Sequence, residues 1–251
     1  MHDLFDLTGS TAIVTGAGTG LGRGMALALA SAGADLVLVD RAASDAVAED
    51  IRGLGRRALA LTVDLSQMTS IDAVIQAAVA EFGKIDILVN NAGIIRRTPA
   101  IEFSEQDWDE VMAVNAKAVF FLAQAAARDM VKRKRGKIIN TASLLAFQGG
   151  ILVPSYAASK GAVAQVTKAL ANEWAQRGIN VNAIAPGYMA TNNTRALRED
   201  PVRSRAILDR IPAGRWGLPE DLAGVVIFLA SRASDYVNGH VLVVDGGWLA
   251  R

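Results

Sequence analysis

The sequence predicts an α/β protein built on a doubly wound parallel sheet with helices on both faces. Apolar runs of strand length recur along the 251 residues, and helical patterns fill the gaps between them. Strands that alternate with helices need right-handed crossovers, which leave the strands parallel and cover both faces of the sheet. The length is typical of a single domain, 1–251. We predict seven strands, at 11–15, 35–40, 58–63, 85–90, 137–142, 179–185 and 240–244.

The first predicted strand leads into a glycine turn, and a run of helix-forming residues follows it. The glycines fit the pattern Gly-x-x-x-Gly-x-Gly. A turn of this kind lets main-chain N–H groups approach a pyrophosphate that a side chain would otherwise block. Glycine also occurs in turns that bind nothing, so the turn alone does not prove phosphate binding. The candidate phosphate-binding residues are Gly16, Thr19, Gly20, Leu21 and Gly22.

The second strand, with the sequence DLVLVD, ends in a carboxylate. Asp40 lies twenty residues after Gly20, close to where an acidic residue that binds a ribose 2′-OH is expected. A carboxylate there accepts hydrogen bonds from a free diol and repels a 2′-phosphate, which predicts NAD rather than NADP as the cofactor. Arg41 is the next residue and could soften that preference. The alternative is that Asp40 is a solvated loop residue.

Two helices, at 71–82 and 108–131, are predicted around the fourth strand. A basic run at 132–135 follows the second helix. We interpret it as the solvated last turn of that helix, where cations suit the negative end of the helix dipole, with Gly136 ending the helix. A nucleic-acid patch is the alternative. The net charge of +1 argues against a nucleic-acid partner and against an anionic membrane.

A serine, a tyrosine and a lysine form the candidate catalytic set. Tyr156 and Lys160 lie four residues apart in a predicted helix at 153–178, and Ser143 follows the fifth strand. An i, i+4 pair projects from one helix face, so the ammonium should lie beside the phenol. A nearby positive charge lowers a phenol pKa that is otherwise about 10, which makes a tyrosine usable as an acid/base near neutral pH. The alternative is a chance Tyr-x-x-x-Lys on an ordinary helix.

A polar segment at 191–215 breaks the alternation of strands and helices. It carries many arginines and follows the sixth strand, at the edge of the sheet where doubly wound folds place their ligands. We predict that it forms a mobile helical lid over the substrate. A solvated surface helix is the alternative.

Composition excludes several kinds of chemistry and of location. The chain has no cysteine, so disulfides, thiolate catalysis and cysteine metal sites are ruled out. Its only histidines are His2 and His240, so we expect no histidine-based metal site and no Ser-His-Asp triad. The sequence has no uninterrupted stretch of about 18 apolar residues, so we expect no membrane span. The amino terminus does not follow the signal-peptide pattern, so we expect a cytoplasmic protein.

Taken in order, the motifs of this chain resemble those of the short-chain dehydrogenase/reductase family. The resemblance spans nearly the whole chain and implies a Rossmann-like fold with an NAD-dependent dehydrogenase activity on secondary alcohols. It implies that Tyr156 is the general acid/base, that Lys160 lowers its pKa and holds the nicotinamide ribose, and that Ser143 orients the substrate oxygen. The motifs are the glycine turn, Val63-Asp64-Leu65, Asn90-Asn91-Ala92-Gly93, Asn115, Ser143, Tyr156, Lys160, Pro186-Gly187 and Val244-Asp245-Gly246-Gly247.

The same resemblance implies roles for residues outside the catalytic set. Asn115 would support a water chain from Lys160 to solvent. The remaining cofactor contacts that it implies are Asp64 and Leu65 beside the adenine, Asn91, Ala92 and Gly93 on the adenosine side, and Pro186, Gly187 and Thr191 beside the nicotinamide.

A narrower resemblance points to a branch of the family that oxidises keto-deoxy sugar acids during the breakdown of pectin- or alginate-type uronates. An arginine fork suits a carboxylate, so we predict that Arg97, with Arg96 as the alternate, binds the acid group. The hydroxyls would meet Gln148, Tyr188, Asn192 and Asn193. Gluconate 5-dehydrogenases and 3-oxoacyl-carrier-protein reductases of the same family are the enzymatic alternatives. A nucleotide-sensing scaffold without turnover is the non-enzymatic alternative.

Self-association is expected from the helix at 153–178. Its apolar side chains spread over more than one face, and Phe120 and Phe121 add further apolar surface on the preceding helix. A helix that is apolar on most sides needs cover beyond its own sheet. The family resemblance implies a homotetramer built partly from these helices, with Trp248 and Leu249 packed nearby.

Overall fold

The computed structural model describes residues 4–251. His2, one of the two histidines named above, lies outside these residues. Its strands form one seven-stranded sheet in the order β3-β2-β1-β4-β5-β6-β7, and every neighbouring pair is parallel. The predicted fold class is therefore confirmed. The strands are β1 (Thr11–Thr15), β2 (Asp35–Asp40), β3 (Ala58–Thr62), β4 (Ile87–Asn90), β5 (Gly136–Thr141), β6 (Ile179–Pro186) and β7 (Val241–Val244).

Helices connect the strands and lie on both faces of the sheet. The long helices are the crossovers, and the two short helices after β6 belong to the segment predicted as a lid. The helices are α1 (Gly20–Ser31), α2 (Asp45–Gly53), α3 (Thr69–Phe82), α4 (Glu105–Met112), α5 (Ala118–Arg133), α6 (Pro154–Trp174), α7 (Arg195–Glu199), α8 (Pro201–Leu208) and α9 (Ala223–Ala230).

Two hydrophobic layers hold the helices against the sheet. One layer joins α1, α2 and α9 to one face through side chains such as Met25 and Val226, and the other joins α3, α5 and α6 to the opposite face. Successive strand residues point to opposite faces, so Ile13 enters one layer while its neighbour Val14 enters the other. This is why the central strands are apolar at nearly every position, as the sequence showed.

The predicted helix at 108–131 is part of a longer continuous helix. Between α4 and α5 the chain makes a π-helical turn, Ala113–Lys117, so the helix runs for 29 residues from Glu105 to Arg133. By length and composition alone such a helix could cross a membrane. Half of its most apolar 18-residue stretch is buried inside the fold. Leu122 and Met130 pack against the sheet there. It is therefore a helix of the core.

The end of that helix differs from the prediction. Lys134, not Gly136, takes the left-handed conformation that ends it, with φ of 50°, and Gly136 is the first residue of β5. A Cβ on Gly136 would lie 2.3 Å from the Met130 sulfur, so glycine is needed there for close packing. Arg133 does not face solvent as predicted, because it pairs with the buried Asp86 and with Asp129.

Candidate active site

The glycine turn after β1 is built so that its main chain can approach a ligand. Gly16 and Gly20 have φ of +64° and +54°, in the left-handed region that favours glycine. A Cβ on Gly22 would lie 2.0 Å from the Gly16 carbonyl oxygen, so any side chain there would displace the turn. The turn leads directly into α1, whose N-terminal N–H groups suit a phosphate.

Asp40 lies at the end of β2 and faces the glycine turn. Its Oδ2 accepts a hydrogen bond from the Gly18 N–H at 2.8 Å, and its Oδ1 accepts one from the Ala42 N–H at 3.2 Å. The carboxylate therefore helps to hold the turn in place and still borders the cleft. Arg41 lies beside it, exposed on the cleft wall.

Asn91 and Thr15 connect the end of β4 to the glycine turn. The Asn91 Nδ2 donates to the Thr15 carbonyl oxygen at 2.9 Å and to the Gly16 carbonyl oxygen at 3.3 Å. The Thr15 Oγ1 accepts from the N–H groups of Asn91 and Ala92, both at 2.9 Å. Sequence reasoning missed Thr15, and its signal was a hydroxyl at the last position of a strand whose three central residues are apolar.

The cleft at the carboxyl edge of the sheet brings together most of the predicted cofactor residues. Gly22 is not in its wall, because it packs behind Gly16. Within the described part of the chain, Pro186 and Gly187 are not in the wall either; the Gly187 N–H bonds to Val244 on β7 at 2.9 Å. The predicted residues in the wall are Gly16, Thr19, Gly20, Leu21, Asp40, Arg41, Asp64, Leu65, Asn91, Ala92, Gly93, Tyr156, Lys160, Thr191 and Asn192.

Tyr156 and Lys160 lie one turn apart near the start of α6, and both line the cleft. The Lys160 Nζ is 5.6 Å from the centroid of the Tyr156 ring and donates to the Thr141 carbonyl oxygen at 2.6 Å. Ser143 follows β5, and its hydroxyl lies close enough to the Tyr156 phenol to act on the pKa of that phenol. The three predicted catalytic side chains therefore converge at one end of the cleft.

The pKa shifts of Tyr156 and Lys160 at this end of the cleft differ from the prediction. Burial raises the pKa of Tyr156, while the hydrogen bond with Ser143 and the charge of Arg97 act in the opposite direction. Burial also lowers the pKa of Lys160 to about 8. We predicted that Lys160 would lower the tyrosine pKa. Here the ammonium is directed to the Thr141 carbonyl rather than to the phenol oxygen, and desolvation is the larger effect.

Lys160→Met should stabilise the fold at pH 7 relative to the wild type. A folded pKa of about 8, against an ordinary 10.5, means that burying the ammonium costs about 3 kcal/mol below pH 8. The variant avoids this cost, but it also loses the hydrogen bond to the Thr141 carbonyl, which offsets about 1–2 kcal/mol of the gain in stability. As the pH rises from 8 to 10.5, the folded wild type releases its proton first and regains stability, so the advantage of the variant should disappear.

Urea denaturation at pH 7, 8, 9 and 10 measures this difference. Lys168→Met is the matched control, because Lys168 is an exposed lysine on the same helix and its variant should follow the wild type at every pH. A Lys160→Met variant whose stability relative to the wild type does not change with pH would contradict the assigned burial cost.

Asn115 lies in the π-helical turn between α4 and α5 and is fully buried. Its Oδ1 accepts from the Ile94 N–H at 2.8 Å, and its Nδ2 donates to the Ile94 carbonyl oxygen at 2.9 Å and to the Ser159 Oγ at 3.2 Å. Asn115 thus fixes the loop after β4 against α6, next to Lys160. Single π-turns inside α-helices are frequent at functional sites.

The two arginines after β4 have different surroundings. Arg96 pairs with Glu110 at 2.7 Å and with Asp107 at 3.2 Å, so its charge is already balanced by two carboxylates of α4. Arg97 is exposed, donates to the Asn193 carbonyl oxygen at 2.8 Å, and acts electrostatically on Tyr156. Of the two arginines, only Arg97 bonds to a residue of the cleft wall, Asn193.

The other predicted substrate residues fall into two groups, and only one of these lines the cleft. Asn192 and Asn193 line the cleft. Tyr188 packs between Trp216 and Trp248, and the Gln148 Oε1 accepts a hydrogen bond from the Trp248 indole at 3.1 Å.

The segment predicted as a lid begins at the cleft and continues away from it. Thr191 caps a short turn, Asn192–Thr194, and α7 and α8 follow. Ile207 and Ile211 anchor the far end by packing with Leu144 and Trp248 in a small hydrophobic cluster.

A cleft that combines a phosphate-accepting turn with an acid/base pair is typical of oxidoreductases that use a dinucleotide cofactor. Together with the parallel sheet, this site places the protein among the doubly wound oxidoreductases. A model of the short chain dehydrogenase family matches residues 10–202, and the chain belongs to that family. It is therefore an oxidoreductase that acts on CH–OH groups with a nicotinamide dinucleotide as cofactor.

The chain is similar over its whole length to proteins of known activity and to solved structures. It is 62% identical over 248 residues, 98% of each chain, to a 2-dehydro-3-deoxy-D-gluconate 5-dehydrogenase of Dickeya dadantii. A candidate 2-deoxy-D-gluconate 3-dehydrogenase of Agrobacterium tumefaciens with bound NADP is 56% identical, with a TM-score of 0.93 over 99% of this chain and 100% of that one. A gluconate 5-dehydrogenase of Burkholderia cenocepacia, in complex with NADP and tartrate, is 44% identical, with a TM-score of 0.95 over 100% of this chain and 99% of that one.

Proposed function

We propose that the protein is an NAD-dependent 2-dehydro-3-deoxy-D-gluconate 5-dehydrogenase. It would convert 2-dehydro-3-deoxy-D-gluconate reversibly to 3-deoxy-D-glycero-2,5-hexodiulosonate, in the breakdown of pectin- or alginate-type uronates. The observation that carries this proposal is the position of Arg97, an exposed guanidinium that bonds to Asn193 in the cleft wall and acts electrostatically on Tyr156. Similarity over the whole chain to a 2-dehydro-3-deoxy-D-gluconate 5-dehydrogenase supports the same substrate.

In this proposal Tyr156 exchanges a proton with the substrate oxygen. When it is bound, the nicotinamide ring supplies the site that gains or gives the hydride. For oxidation, the Tyr156 phenolate removes the hydroxyl proton, and for reduction the phenol returns it to the carbonyl oxygen. Ser143, whose hydroxyl lies near the Tyr156 phenol, orients that oxygen. Lys160, with a pKa of about 8, can exchange protons near neutral pH.

The nucleotide fits the residues that line the cleft. Gly16 and Gly20 give the turn its left-handed conformation in the cleft wall, and Asp40 offers its carboxylate beside the turn. This carboxylate favours a ribose with a free 2′-OH, so we propose NAD as the preferred cofactor. Arg41, exposed next to Asp40, would allow some use of NADP. Related structures contain NADP, which makes the ratio of the two cofactors a necessary measurement.

Arg97→Ala should raise the KM for the sugar acid about 10- to 100-fold. A charge-assisted hydrogen bond to a carboxylate contributes about 1.5–3 kcal/mol, and the variant lacks its donor. The KM for an uncharged ketose should change little, since that substrate has no carboxylate to bind. Steady-state kinetics by NADH absorbance measures both values.

Arg96→Ala is the matched control for this experiment. Its guanidinium is paired with Glu110 and Asp107, so its removal should leave the KM for the acid within about 3-fold. An Arg97→Ala enzyme with an unchanged KM for the acid would remove the carboxylate assignment.

Two enzymatic alternatives have specific differences from the proposed activity. Gluconate 5-dehydrogenase is the closer one, because relatives of that activity share the fold over the whole chain. A 3-oxoacyl-carrier-protein reductase should prefer NADPH, which the position of Asp40 disfavours. A nucleotide-sensing scaffold without turnover should lack part of the Ser143, Tyr156 and Lys160 set, and this chain has all three.

One absorbance experiment tests the proposed function against these alternatives. NAD and NADP are each offered with 2-dehydro-3-deoxy-D-gluconate, gluconate and 2-deoxygluconate, and NADH and NADPH with the 2,5-diketo acid and a 3-oxoacyl thioester. We expect the highest kcat/KM with 2-dehydro-3-deoxy-D-gluconate and NAD. A higher kcat/KM with gluconate or with the thioester would assign the alternative activity.

The proposal also includes the organisation of the working enzyme. Residues 1–251 would form a single catalytic domain, and 191–215 would close over the substrate as a lid. We propose a cytoplasmic homotetramer in which α5 and α6 form part of the subunit contacts, supported by the exposed Phe121 and Ala158 on these helices. Size-exclusion chromatography with light scattering measures the number of subunits.

A further inference from the structure

The C-terminal segment Asp245–Arg251 folds back onto the loop after β5 and the far end of the segment predicted as a lid. The Asp245 carboxylate accepts from the N–H groups of Gly247 and Leu249, both at 2.8 Å, which closes the chain into a short turn. Gly246 and Gly247 have φ of +65° and +91°, and this lets the segment approach residues 211–213 closely. We call Asp245–Arg251 the C-terminal latch.

Trp248 is the centre of the latch and is only 4% exposed. Its indole N–H donates to the Gln148 Oε1 at 3.1 Å. The Arg210 guanidinium lies 4.0 Å above the Trp248 ring, and the Tyr188 ring centroid lies 4.6 Å away. One side chain thus contacts the loop after β5, the residue after β6 and the far end of the lid.

The latch also bonds the lid through its main chain and its last residue. The Arg251 guanidinium donates to the carbonyl oxygens of Asp209 at 2.7 Å and Arg210 at 3.2 Å. The Ala213 N–H donates to the Gly246 carbonyl oxygen at 3.0 Å. None of these residues lines the nucleotide cleft, so the latch is separate from the residues expected to hold the cofactor.

We propose that Trp248 is a positioning residue, and that the C-terminal latch holds Gln148 and the lid in the arrangement that binds the substrate. The part that concerns Gln148 rests on the proposed function and on the expectation from the sequence that this amide meets a substrate hydroxyl. The fastening of the lid does not depend on the identity of the substrate. Weakening the latch should therefore reduce substrate binding without affecting the cofactor or the proton transfer at Tyr156.

Trp248→Phe tests the hydrogen bond to Gln148. The variant keeps an aromatic ring in the cluster but loses the N–H, so the KM for the sugar acid should rise about 3- to 10-fold, as one net hydrogen bond allows. The kcat and the Kd for NADH should stay within about 2-fold of the wild type. Trp174→Phe is the control, because Trp174 packs on α6 outside this cluster and should leave the KM unchanged.

A double-mutant cycle shows whether Trp248 acts through Gln148. In a Gln148→Leu background, Trp248→Phe should have little further effect on KM, because the acceptor is already absent. Equal effects of Trp248→Phe in both backgrounds, or a fall in kcat with an unchanged KM, would overturn the positioning role.

Limited trypsin digestion tests the fastening of the lid without any substrate. Arg251→Met removes the two bonds to Asp209 and Arg210, so cleavage after the exposed lid arginines Arg195 and Arg205 should become about 3- to 10-fold faster. Unchanged cleavage would overturn the latch. A wild-type enzyme inactive on sugar acids would instead count against the proposed function and leave this readout intact.

Discussion

Replacing Tyr156 by phenylalanine is expected to lower turnover at least ~100-fold while the variant still binds NADH. The phenol oxygen is the group placed to exchange a proton with the substrate, and the variant loses only that oxygen. The ring remains against Lys160 and in the cleft wall, so the shape of the site is kept. NADH absorbance measures kcat, and NADH fluorescence measures binding.

Tyr236→Phe is the matched control, because this tyrosine is fully exposed and lies away from the cleft. The pH dependence provides a second readout. Oxidation needs the phenolate, and burial raises the pKa of Tyr156, so oxidation in the wild type should accelerate as the pH rises. Residual turnover in Tyr156→Phe should lack this rise. Turnover at the wild-type level would remove the acid/base assignment.

The strands could be predicted from the sequence because a parallel sheet covered on both faces needs continuous apolar runs. Of the seven predicted strands, 11–15 and 35–40 coincide with β1 and β2. The fourth strand begins at Ile87 rather than 85, and Asp86, just before it, accepts from the Thr11 N–H through its carboxylate and pairs with Arg133. A contact of that kind joins residues far apart in sequence, and a local pattern does not contain it.

The same limit explains what the sequence missed in the candidate site. The spacing of Tyr156 and Lys160 predicts that they share a helix face, and they do. The spacing does not show that the Lys160 ammonium is directed to the Thr141 carbonyl, which decides how the two pKa values shift. Likewise Arg96 and Arg97 are equivalent in the sequence, and only the position of α4 shows that Arg96 is already paired.

The role of Asn115 needed the tertiary structure for another reason. No local pattern predicts the π-helical turn Ala113–Lys117, which interrupts an otherwise regular helix. The bonds from Asn115 to Ile94 and Ser159 hold the side chain in this turn, and these partners lie 21 and 44 residues away. The predicted water chain at Asn115 stays a prediction.

Gly22→Ala is expected to weaken NADH binding about 100-fold. The added Cβ would lie 2.0 Å from the Gly16 carbonyl oxygen and 2.6 Å from the Asn91 Nδ2. The first neighbour is main chain and cannot rotate away, so the glycine turn must move. Displacement of a packed backbone costs up to about 3 kcal/mol. When this cost applies to the NADH-bound state only, the affinity for NADH falls about 100-fold.

Isothermal titration with NADH, together with the Tm and the far-UV circular dichroism of each variant, separates a displaced turn from an unfolded protein. Gly53→Ala is the control, because Gly53 ends α2 with no atom within 4 Å of an added Cβ. It should keep the wild-type affinity and an equal or higher Tm. A folded Gly22→Ala protein with wild-type affinity for NADH would show that the close contact of Gly22 with Gly16 does not shape the nucleotide site, and the glycine turn would lose its assigned role.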